Sequence, residues 1–108
     1  MKQNKVLSLL GLAAKGRNLV SGEFQTENAV KDGSAILVIV AEDASGNTKK
    51  LFHDKCSFYE VPIVEYSTKT ELGRAIGKDL RSSLAICDAG LATAVRKAVE
   101  SETANKRG

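Results

Sequence analysis

The stretch "VSGEFQTENAVK", Val20 to Lys31, gathers the side chains best placed to meet a ligand. Ser21 or Gly22 can open a helix there, and a helix start exposes unpaired N–H groups and the positive end of its dipole. Both suit phosphate oxygens. Gly22 has no side chain to hold a nucleic-acid backbone away, and Glu23 follows it. Gln25 offers a donor and an acceptor to a base edge, while Phe24 offers a ring to an unpaired base. Asn28 and Lys31 extend this face by one and two turns. The same residues also fit a plain capped helix with Phe24 turned into the core. Pattern alone does not separate the two.

Enzymatic chemistry is poorly supplied. There is no GxxxxGK[ST] loop and no GxGxxG, so nothing is spaced to cradle a pyrophosphate. His53 and Cys56 lie three apart on one predicted helix, but a stripe cysteine beside a surface histidine is the commoner arrangement. Glu42 and Asp43 in "AEDAS" stand at a strand end, where α/β sheets often bind ligands. Neighbouring strand residues point opposite ways and no third acid follows closely, so turn and capping roles fit better than Mg²⁺. Cys56 and Cys87 show no CxxC spacing and His53 has no paired ligand, which argues against zinc. Both cysteines sit in apolar runs and read as buried thiols in a reducing cytoplasm.

The elements that must position these residues follow from periodicity. Val6, Leu9, Leu10, Ala13 and Ala14 form a helical stripe that should stop at Gly16. The second helix should run to Asp32 and end at Gly33. "AILVIVA" is a continuous β-branched run, as expected of a strand buried on both faces. Leu51, Phe52, Cys56 and Tyr59 make a third helical stripe, which Pro62 ends before the short strand "IVEY". Thr68 and Glu71 have capping-box spacing for a fourth helix carrying Leu72, Ala75 and Ile76 inward, with Gly77 after it. "SLAIC" is another buried strand, Asp88 can cap a last helix, and "NLVSG" can supply a short extra strand. The order predicts a three-layer α/β/α sandwich around a small, mostly mixed four-stranded sheet. Residues 1–100 form the expected domain, and 101–108, "SETANKRG", a polar tail.

The chain has 108 residues, 43% of them hydrophobic and 27% charged, with a net charge of +3, as suits a soluble globular domain. The positive charge is unevenly placed. Lys2, Lys5, Lys15 and Arg17 precede Gly22 with no acid among them, which fits either a solvated helix face or a phosphate-facing patch. "VLSLLGLAA" is too short to span a bilayer and lacks a signal-peptide cleavage site. No membrane partner is expected, and the location implied is cytoplasmic.

Taken together and in order, "LGLAAKGRNLVSG", "AEDAS" and "LGRAIGK" resemble the kink-turn-binding ribosomal-protein superfamily, and within it the small bacterial YlxQ-like branch. The resemblance covers nearly the whole chain. It implies the same sandwich, no cofactor, no catalysis, and structured RNA rather than DNA as partner of a monomer. In kink-turn binders the second helix opens with Gly-x-Asn-Glu-x-x-Lys, which reads tandem sheared G·A pairs. Here Gly22 matches the Gly, while Phe24, Gln25 and Asn28 replace the Asn, Glu and Lys. The loop over flipped-out nucleotides corresponds to "KDLRSS", with Lys78, Leu80 and Arg81 as its contacts. Lys15, Arg17, Ser21, Glu23 and Lys31 complete the expected RNA face. The departures dilute the reading row, because Asn28 cannot replace a charge-assisted bond in kind. A protein–protein adaptor that kept this scaffold and lost RNA readout is the alternative. Phe24 exposed among few basic neighbours would favour it.

Overall fold

A computed structural model describes residues 4–107, with side chains through residue 102; Lys2 and Gly108 lie outside the described residues. The chain runs α1 (Lys5–Lys15), β1 (Leu19–Ser21), α2 (Glu23–Lys31), β2 (Leu37–Val40), α3 (Gly46–Tyr59), β3 (Ile63–Glu65), α4 (Lys69–Ala75), β4 (Ser83–Ile86) and α5 (Ala89–Arg107). The sheet order is β1-β4-β2-β3. β4 pairs antiparallel with both β1 and β2, and β2 pairs parallel with β3. α1 packs against α4 and α5 on one face of the sheet, and α2 against α3 on the other. The expected three-layer sandwich with a mixed four-stranded sheet is therefore the fold.

The core sits on both faces of the two central strands. Every residue of β2 and β4 is buried, Ser83 included. Val6, Leu10 and Leu72 close one side, and Val30, Phe52 and Cys56 the other. Each large apolar side chain so buried contributes about 1.5–3 kcal/mol. Among the described residues, no helix is long and apolar enough to cross a membrane.

Local chemistry fixes the helix ends. Asn4, Ser45, Thr68 and Asp88 each accept a backbone N–H three residues on, at 2.9–3.1 Å. A cap of this kind is worth about 1 kcal/mol. Asp43, in "AEDAS", takes the turn-and-cap role: its Oδ1 accepts the Lys69 N–H at 2.9 Å and fixes the start of α4.

Gly16 caps α1 where expected, with φ −85°, and the left-handed turn falls on Arg17, φ 60°. Three local expectations need correction. Tyr59 does not face inward: it is 40% exposed, edge-on to the exposed Phe58 ring at 4.9 Å. Pro62 follows it too soon for another inward turn. Cys87 is only half-buried at the end of β4, whereas Cys56 is buried and its thiol is pushed up to about 11 by that burial. Finally, α5 continues through residues 101–107, read above as a tail. Tyr66 explains the continuation: its hydroxyl donates to Glu102 and takes an N–H from Asn4 at 2.9 Å, so α5 is tied to β3 and to the start of α1. Burial and the Glu102 carboxylate push that phenol up to about 12.

The loop after α4 folds back onto the helix that precedes it. The Lys78 N–H reaches the Gly73 carbonyl at 2.8 Å, and Gly77 takes φ 75°. A Cβ at Gly73 would lie 1.5 Å from the Asp79 carbonyl oxygen. Gly73→Ala should therefore cost at least about 1–3 kcal/mol, the usual range for overpacking, read as a lowered denaturation midpoint. A variant of wild-type stability would show that the loop does not depend on this contact. Cys56→Ser should lose about 1–3 kcal/mol by burying an unpaired hydroxyl, and Cys87→Ser clearly less. Equal losses in the two denaturation curves would contradict the difference in burial.

Candidate functional site

Gly22 joins β1 to α2 with φ 93° and ψ 155°, a conformation essentially reserved for glycine. Its N–H donates to the Ser83 carbonyl at 3.0 Å, so the chain stays on the sheet until the residue before the helix. No side chain caps α2, and the first intrahelical bond runs from the Thr26 N–H to the Gly22 carbonyl. Nothing lies within 4 Å of where a Gly22 Cβ would stand. Glycine is required here for backbone shape, and the space above it is open.

Thr26, Ala29 and Val30 face the sheet, which leaves Glu23, Phe24, Gln25, Asn28 and Lys31 outside. Phe24, Asn28 and Lys31 follow one another along a single stripe, with Gln25 beside them. Phe24 is 73% exposed. The packed-core reading of Phe24 is thereby ruled out. Lys31 turns aside to Glu27, 3.4 Å away, and Lys55 from α3 approaches the same carboxylate at 3.8 Å.

The loop between α4 and β4 brings the second group of residues. Arg81 Nε donates to Ser21 Oγ at 3.1 Å, beside Gly22, while its backbone N–H donates to the Lys69 carbonyl. Its guanidinium also donates to the Leu80 carbonyl at 2.9 Å. Leu80 is 58% exposed. Lys78 lines a cleft of roughly 550 Å³ between the C-terminal ends of α1 and α4, together with Lys15, Ser21 and Arg74. Of the residues expected from sequence, Lys15, Ser21 and Lys78 thus share one cleft, and Arg81 is bonded to its edge. Arg17 and Lys31 do not line it. Arg74 was not singled out from sequence. Its only signal there is a basic residue between the inward Leu72 and Ile76, just before Gly77.

Other chemistry finds no assembled centre. His53 Nε2 lies 2.8 Å from Glu65 Oε2 on the exposed side of α3, and that bond holds the Glu65 carboxyl below its usual range. Cys56 faces the core, away from it. Among the described residues, no group of three or more His, Cys, Asp or Glu side chains could hold a metal ion.

Comparison with known proteins assigns this arrangement a family. Residues 4–96 match the model described as the ribosomal protein L7Ae/L30e/S12e/Gadd45 family. The chain is 44% identical over 84 residues to a protein of Bacillus subtilis named RNA-binding protein YlxQ, spanning 78% of this chain and 84% of that one. A protein of the same name from Enterococcus faecium is 39% identical, over 91% and 94% of the two chains. Large ribosomal subunit protein eL30 of Methanosarcina mazei is 35% identical, over 83% and 84%. Among solved structures, a protein of unknown function from Bacillus halodurans superposes with a TM-score of 0.87 at 42% identity, covering 91% and 99%. The Giardia lamblia 15.5 kD RNA binding protein gives 0.73 at 27%, covering 93% and 86%. The chain belongs to the ribosomal protein L7Ae/L30e/S12e/Gadd45 family, in its YlxQ-like branch.

Proposed function

We propose that this protein is a non-enzymatic, monomeric, cytoplasmic RNA-binding protein that recognises structured, kink-turn-like RNA in ribosomal or translation-related particles. The observation that carries the reading is the uncapped start of α2. Open space above Gly22, free N–H groups and the exposed row of Phe24, Gln25 and Asn28 meet there beside Arg81 and a basic cleft. Relatives named as RNA-binding proteins support it. Phe24 contributes a stacking face where an amide would read a base edge, and Gln25 keeps a donor and an acceptor. Asn28 offers no charge, so phosphate contacts from the lysines and arginines must supply more of the affinity.

One observation favours the adaptor reading: Phe24 and Leu80 are both exposed apolar side chains. The cations at Lys15, Arg74, Lys78 and Arg81 weigh against it, since an adaptor face has no need of them.

Titration of a kink-turn RNA against a straight duplex of equal length tests the reading. The kinked RNA should bind more tightly, with a log–log salt slope of roughly −2 to −4 for about 3–5 phosphate contacts. Equal affinity for the two RNAs, or a flat salt response, would overturn kink recognition.

Asn28→Lys should tighten binding of that RNA by about 1–3 kcal/mol, roughly five- to more than a hundredfold. The position is exposed, and lysine is the better helix former, so folding should not suffer. An unchanged Kd in the folded variant would place α2 away from the RNA and bring the adaptor reading forward.

A further inference from the structure

The cations on α2 and α3 differ from those at the α1–α4 cleft. Lys31, Lys49, Lys50 and Lys55, on α2 and α3, each lie within 4 Å of a carboxylate. Lys15, Arg74 and Lys78 have no carboxylate within that distance among the described residues, and all three are exposed. They rim the cleft on the opposite face of the sheet from α2. Its floor is apolar, built from Ala14, Leu19, Ala75 and Ile76, and no acid lines it. Arg74 also lines the depressions on either side, one running along α1 past Ser8 and Leu7, the other past Lys78 to Leu80. The carboxylates in those depressions are Glu71, which accepts from Ser67 Oγ at 2.7 Å, and Asp79. Arg74 thus stands between three neighbouring depressions, and the central one is a groove rimmed by unpaired positive charge. Ser21 stands at its edge, one residue from Gly22.

We propose that this groove seats a single-stranded RNA segment flanking the structured element held at α2. Lys15, Arg74 and Lys78 hold its phosphates, and a base lies on Leu19 and Ile76. The proposal rests on the RNA-binding reading above and extends it to a second surface. Unpaired cations around an apolar floor match the two parts of an unstacked nucleotide, a charged backbone and an apolar base face. A cleft of roughly 550 Å³ is in the size range of small-ligand sites and admits a nucleotide, not a duplex.

Two measurements on the full chain test it. In NMR titration with a short oligouridylate, the amides of Lys15, Leu19, Gly77 and Lys78 and the Arg74 Nε–H should shift, whether or not a uridine also stacks on Phe24. Shifts confined to α2, or none at all, would overturn the groove. In the second measurement, a kink-turn RNA is compared blunt and with a single-stranded extension, placed on each end in turn. One of the extensions should steepen the log–log salt slope by roughly 2, at about 0.7 per contact for three contacts. In Arg74→Gln that increment should shrink by about one contact. An increment absent from both extensions, or unchanged in Arg74→Gln, would overturn the proposal. The two readings fail separately. Equal binding of kink-turn and duplex with groove shifts intact removes kink recognition alone; kink preference without groove shifts removes the groove alone.

Discussion

Three successive residues at the start of β4 gather the site end of the molecule. The Arg81 N–H reaches the Lys69 carbonyl, the Ser82 carbonyl takes the Ala41 N–H, and the Ser83 carbonyl takes the Gly22 N–H. Each bond comes from a different element: the start of α4, the end of β2, and the junction of β1 with α2. Because β4 is central and wholly buried, these bonds are anchored at one of the two most protected strands. The open start of α2 and the basic loop thus share one fixed reference. Loss of the Ser82 and Ser83 bonds would disperse the site without changing a residue placed on the RNA face.

The strands and most helix ends could be read from the sequence because their causes are local. "AILVIVA" has too little polar content to be anything but a covered strand, and Thr68 and Asp88 meet their caps within one turn. What escaped depends on partners distant in sequence. Residues 101–107 carry no inward stripe strong enough to announce a helix, yet Glu102 is held by Tyr66, 36 positions earlier. Gly16 was legible as the end of α1, but the left-handed turn falls on Arg17, which no pattern marks. The site divides the same way. Gly22, Phe24, Gln25 and Asn28 announce themselves by spacing along one helix face. Arg74 becomes visible only when the ends of α1 and α4 converge.

Charge pairing separates the two faces of the sheet. Glu27 and Glu65 each draw basic side chains toward themselves, and these contacts stitch α2 to α3 and α3 to β3. Exposed pairs of this kind contribute little to stability. Their larger effect is to offset positive charge on that side, whereas Lys15, Arg74 and Lys78 at the α1–α4 groove keep theirs without a carboxylate within 4 Å. Distribution, rather than total charge, gives the surface its direction.

Gly11 adds a last constraint on that groove. A Cβ there would stand 3.1 Å from the Ala75 carbonyl oxygen, so α1 and α4 meet almost main chain to main chain. The spacing between the walls is set by backbone, and the charges sit outside it on flexible stems. Shape and chemistry are therefore separately inherited: Lys15, Arg74 or Lys78 can be exchanged without altering the groove's width. A descendant of this chain could change what it holds while keeping the mould unchanged.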